Sequence, residues 1–236
     1  MNKNYSALVI VRDDASSTST WSGIPHHIVR ILKDNNVSVS VVDKLGFPKH
    51  FSWRLKRVLG KFIKTCAPKY YSLSTSKYYA ALLNERIENI VEPYDFILAI
   101  DFTEGLPYFK SDKPVFVFRD ASYLQLNELS YPGYESFSKP ELIEIQKVEN
   151  KAFQACDKVL ITSDWAVEYC QKYYSDITRD KYFVLPFCAQ TYPPSSREDW
   201  SPRKLKNNEP VRFLFVGDPI AGSVAGRFAP PLAILG

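Results

Sequence analysis

The chain has 236 residues, 45% of them hydrophobic and 14% aromatic, which is ample material for a sizeable core. Its net charge of +4 is too mild for a nucleic-acid-binding surface, and no recognition motif for DNA or RNA is present. No run of eighteen apolar residues occurs, and acids follow the first short apolar run in MNKNYSALVIVRDD, so neither a spanning helix nor an export signal is expected.

The first predicted strand is SALVIVR, residues 6–12. Ten residues on, the chain reads TWSGIPHHIVRIL, which predicts a helix over 25–35 with Pro25 in its first turn. Ser22 and Gly23 before it have two readings. Ser22 caps the helix and Gly23 turns the chain, or Gly23 lets backbone N–H groups approach a phosphate at the helix N-terminus. A second strand is predicted at 37–45, VSVSVVDKL.

Between residues 49 and 69 stand seven Lys or Arg and no acid. As a helix over 51–66, the segment places Phe51, Leu55, Val58, Leu59, Phe62 and Cys66 on one face, with Arg54, Lys56, Arg57, Lys61 and Lys64 largely elsewhere. That suits a domain helix with a solvated basic face, or an interfacial helix on anionic lipid.

Further helices are predicted over 76–91, 140–155 and 164–174, and further strands at 94–101 (YDFILAID), 114–120 (PVFVFRD), 158–164 (KVLITSD) and 181–187 (KYFVLPF). Most of these strands are apolar nearly throughout, the pattern of a parallel sheet buried on both faces. Their alternation with helices predicts an α/β class, a Rossmann-like doubly wound parallel sheet over 1–189. Residues 190–210 are rich in Pro, Ser and charge and read as a linker. VRFLFVG, 211–217, then reads as the first strand of a second, truncated domain over 211–236, which ends in an atypical tail.

Cys66, Cys156, Cys170 and Cys188 form no CxxC pair, and His26, His27 and His50 form no zinc-ligand pattern. A reduced, cytoplasmic, metal-free chain is expected. Asp101 and Asp120 end two predicted strands, where carboxylates face the ligand crevice of an open sheet or cap the following loop. Arg119 could pair with Asp120, meet a substrate phosphate or lie on the surface. Ser163 or Asp164 caps the helix that follows, with Trp165 in its first turn as a candidate wall of a substrate cleft.

Taken together, TWSGIPHHIVRIL, KPVFVFRDASYLQL, ENKAFQACDKVLITSDWAVEYCQKYY and KYFVLPFCAQ resemble the N-terminal half of a family 4 glycosyltransferase, a retaining GT-B enzyme. The resemblance spans about residues 7–217. It implies two Rossmann-like domains across a cleft, the first holding mostly acceptor and the second mostly nucleotide-sugar donor. Ser22 and Gly23 would then lie against the donor diphosphate, and Asp101, Arg119, Ser163 and Trp165 would belong to the acceptor cleft. No metal or other cofactor is implied; the leaving diphosphate is stabilised by preorganised positive groups and helix ends.

The chain departs from the family pattern in three places. Arg119 and Asp120 stand where many relatives have a His, which makes Asp120 the catalytic candidate, since one branch carries an Asp before a small residue there. Cys188 replaces a usual Gly. Neither an Arg-Lys-Gly-Gly segment nor a Glu-x7-Glu motif follows FLFVG, so the chain by itself is expected to be inactive. The expected function is hexose transfer from a nucleotide-sugar to a polysaccharide or glycolipid. A non-catalytic module binding glycan, membrane or a partner chain is the alternative, and a related GT-B epimerase or another nucleotide-using enzyme stays open.

Overall fold

The computed structural model describes residues 5–46, 72–131, 134 and 137–187. The chain divides into two compact units, Met1–Gln190 and Thr191–Gly236, and every described residue belongs to the first. The basic segment 51–66, the linker, VRFLFVG, Cys66 and Cys188 lie outside the described residues.

The first unit is an α/β, Rossmann-like doubly wound fold. Its strands are β1 (Ser6–Val11), β2 (Ser38–Val42), β3 (Phe96–Ile100), β4 (Val115–Arg119), β5 (Lys158–Ile161) and β6 (Tyr182–Val184), in the order β2-β1-β3-β4-β5-β6. All five pairings are parallel. Burial follows position in the sheet: β1, β3 and β4 are buried almost throughout, whereas the edge strand β2, SVSVV, alternates Ser with Val and is mostly accessible. At the amino ends, Asp95 Oδ2 accepts the Ser6 N–H at 2.8 Å and Asp157 Oδ2 accepts the Val115 N–H at 2.7 Å, so acids replace ladder partners where pairing stops.

The helices are α1 (Ile24–Asp34), α2 (Leu73–Glu88), α3 (Tyr123–Glu128), α4 (Lys139–Ala155) and α5 (Asp164–Tyr173). Serines open three of them: the Ser72, Ser122 and Ser163 hydroxyls accept the N–H of Thr75, Gln125 and Ala166. At α4 the Glu141 carboxylate reaches back to the Ser138 N–H at 2.8 Å. The sequence anticipated α1, α2, α4 and α5; six-residue α3 escaped it, being too short to show a period.

The larger core lies on one face, where Leu83, Phe102, Leu106, Ile145, Phe153, Val167 and Tyr174 from the α2, α4 and α5 layer and the loop after β3 meet the sheet. The other face packs Val9, Val11, Leu98, Ile100 and Phe118 against Ile24, Ile28, Val29 and Leu32 of α1. An open apolar groove of about 380 Å³ runs between α1 and β3–β5, lined by Ile28, Ile31, Phe96, Phe116, Leu160 and Phe187 among others.

Gly105 sits where the chain leaves β3 for the α2 layer. A Cβ there would stand 2.8 Å from Phe102 Cε1 and 2.9 Å from Leu83 Cδ1, inside the densest part of the core. Gly105→Ala should therefore lower stability by about 1–3 kcal/mol, read as a fall in urea midpoint at unchanged slope.

Candidate functional site

In the order β2-β1-β3, the chain leaves β1 to one side and resumes on the other, which makes the carboxyl ends of β1 and β3 the topological switch point. A small crevice opens there, lined by Arg12, Asp13, Thr20, Trp21, Pro25 and Asp101.

One wall is the turn into α1. Trp21 (φ 41°), Ser22 (φ 53°) and Gly23 (φ 78°) are three successive left-handed residues. Gly23 adopts that region freely; for a bulky tryptophan it is an outlier. Aromatic packing holds it: the Trp21 ring lies 6.0 Å from Phe118 and 5.9 Å from Phe187, and those two rings are 5.6 Å apart. The capping role expected of Ser22 is not made. Gly23 is the N-cap of α1 and no side chain caps the helix, because the left-handed backbone turns Ser22 outward to an exposed position. Pro25 does sit in the first turn.

The loop leading to this turn is anchored by Asp14. Its Oδ1 accepts the Ser16 amide at 2.9 Å and the Ser16 hydroxyl at 2.6 Å, and Lys44 stands 3.1 Å from Oδ2. These contacts lower the carboxyl from 3.8 to about 2, the Ser16 hydroxyl contributing most.

The other wall rests on a buried charge cluster. The Arg119 side chain is 1% exposed, and its guanidinium lies 3.2 Å from Asp101 and 3.2 Å from Glu149. It also donates to Thr103 Oγ1 at 3.2 Å and covers the Tyr123 ring at 4.0 Å. Glu149, on α4, accepts the Tyr123 N–H and, at 2.5 Å, the Tyr174 hydroxyl. A second pair, Arg12 with Glu104, meets the Tyr123 hydroxyl. Burial pushes Glu149 up, against the pull of Arg119 and the Tyr174 hydroxyl. Burial likewise raises Asp101, opposed by Arg119 and Arg12. Arg119 stays cationic: the Tyr123, Asp101 and Glu149 interactions outweigh its desolvation.

The structure brings Asp101, Ser22, Gly23 and Arg119 to this end of the sheet, but in different layers. Asp101 faces the crevice with its side chain one-third exposed; Arg119 lies beneath, out of a ligand's reach. Asp120 is partly buried, and its Oδ1 accepts the Ala121 N–H at 2.7 Å. The Ser163 hydroxyl is taken by the α5 cap. Trp165 is half-exposed on the first turn of α5, edge-on to Tyr169 at 5.1 Å, and does not line the crevice. Arg12, Glu104, Tyr123, Glu149 and Tyr174 were missed. Glu149 alone carried a signal, as an acid on the apolar face of a predicted helix.

Among the described residues no three His, Cys, Asp or Glu are grouped to hold a metal, and no helix is long and apolar enough to cross a membrane. Cys156 and Cys170 are buried, and burial pushes the Cys156 thiol up to about 12. The chain matches no protein-family model, and no curated protein matches it.

Removing Arg119 strands two acids. Arg119→Met should cost about 3–5 kcal/mol by chemical denaturation, far more than an exposed Arg→Met change. Asp14 is an acid with a depressed folded value, so its support for the loop is complete above pH 3.8 and is lost as pH falls through 2. Carboxyl NMR should place its midpoint near 2, and Ser16→Ala should move that midpoint back toward 3.8.

Proposed function

We propose that this domain is the acceptor side of a retaining hexosyltransferase that moves a hexose from a nucleotide-sugar to a polysaccharide or glycolipid. The observation that carries the reading is the left-handed turn Trp21–Ser22–Gly23, feeding α1 at the switch-point crevice beside Asp101. A helix N-terminus offers backbone N–H groups and positive potential to a phosphate, and strand-end carboxylates accept hydrogen bonds from sugar hydroxyls. In this reading Ser22 and Gly23 lie against the donor diphosphate, as the resemblance implies. Asp101 and Asp120 face the acceptor, and Ser163 and Trp165 border its outer reach. No metal takes part: α1 stabilises the leaving diphosphate electrostatically. The enzyme works in the cytoplasm, and the basic sequence of 51–66 suits either a solvated face or contact with the anionic inner face of the membrane.

The apolar groove beside α1 favours a second reading, a non-catalytic module that docks a partner chain. Amide NMR on the chain separates the two. Because the second domain would hold most of the donor, binding here is weak, and a transferase domain should show shifts at Ser22, Gly23 and the first turn of α1 only with millimolar UDP-glucose or GDP-mannose, reproduced by UDP or GDP and absent with uridine or guanosine. Unmoved amides across the whole panel would sink the transferase reading.

A further inference from the structure

We infer that Asp101 is the residue of the crevice that binds a ligand hydroxyl, and that Glu149, on the far side of Arg119, is its positioning residue. The ligand's identity as a hexoside rests on the acceptor-site reading above; the relay between the two acids does not.

Three features of Asp101 set it apart from the other strand-end acids. It holds a left-handed backbone (φ 47°) immediately after β3, fixed by its own N–H donating to the Phe118 carbonyl at 2.9 Å. Its side chain lines the crevice and is one-third exposed. Its carboxylate is gripped from below by Arg119 at 3.2 Å through one oxygen, Oδ1. Asp120, by contrast, turns an oxygen onto the next amide. Non-glycine residues in left-handed positions gather at sites whose surroundings over-determine them, and Asp is among the few that tolerate the region.

Arg119 cannot act directly, since its side chain is 1% exposed and faces acids on two sides. It connects them. Glu149 is fixed by the Tyr123 N–H and the Tyr174 hydroxyl, and so fixes the guanidinium, which in turn fixes Asp101. The one cation is shared between the two carboxylates. Asp101 is the only member that opens to solvent, so a hydrogen-bond donor arriving in the crevice completes its coordination. The charges facing Asp101 are Arg119 at the end of β4, Asp120 just after it, and Arg12 and Asp13 just after β1; Glu149 reaches it from α4 through Arg119.

The relay is tested by carboxyl-carbon NMR titration of the full chain. Glu149→Gln keeps a carbonyl for the Tyr123 and Tyr174 donors but removes the competing charge. Arg119 then serves Asp101 alone, and the Asp101 midpoint should fall by about one pH unit. An unmoved midpoint overturns the positioning role. Should the variant not fold, the wild-type curves decide: Asp101 and Glu149 should each show an inflection at the other's midpoint, and two independent single-step curves overturn the relay.

The binding role is read by saturation-transfer NMR with methyl α-glucoside, α-galactoside and α-mannoside. Asp101→Asn, which suits the left-handed backbone, should weaken a bound glycoside about tenfold or more. Equal binding by the variant overturns the role given to Asp101. Absence of binding by the wild type to all three overturns the hexoside as ligand and the acceptor reading with it, while the titration still supports or overturns the relay on its own.

Discussion

A guanidinium taken out of water must be met by negative charge, and in this fold Arg119 meets it from two layers at once. Asp101 comes from the end of β3 and Glu149 from α4, each 3.2 Å away. Tyr123 joins the layers further: its ring lies under the cation, its N–H goes to Glu149 and its hydroxyl to Glu104. The crevice floor is therefore mechanically continuous with the helical layer behind the sheet. Such a cluster adds less net stability than an apolar core of equal volume, but once built it tolerates no missing partner.

The opposite wall depends on shape rather than charge. Trp21 occupies a backbone region that disfavours it, and the Phe118 and Phe187 rings hold it there. Phe118 and Arg119 are consecutive in β4, so one strand supports both walls from its two faces. Alternation along a strand thus couples the aromatic triangle on the α1 side to the ion cluster on the α4 side.

The distribution of helices follows from handedness. From β1 the chain steps to β2 in one direction, and from β3 to β6 it steps in the other. Right-handed crossovers then send α1 to one face and α4 and α5 to the other. Among the described residues α1 is the lone helix on its face, and the apolar groove lies beside it, with Ile31, Phe183, Leu185 and Phe187 markedly exposed on or around that side. Parallel sheets are ordinarily covered on both faces, so this surface is the natural place for another element or chain to rest.

The six strands, the parallel sheet and four of the five described helices were legible in the sequence, because burial on both faces writes uninterrupted apolar runs and caps write serines. Asp101 was legible too, as an acid closing such a run. Its special standing was not, nor was the layer in which Arg119 lies, because a charge one residue from a strand end reads alike whether it faces solvent or a neighbour 30 residues away. Ser22 read as a cap, since left-handed geometry at Trp21 and Ser22 depends on rings contributed by Phe118 and Phe187. The sequence by itself determined which segments become strands and helices, through local periodicity. Only the tertiary structure decided which charges meet, because an ion pair between residues 119 and 149 is a matter of distance in space, to which spacing along the chain gives no clue.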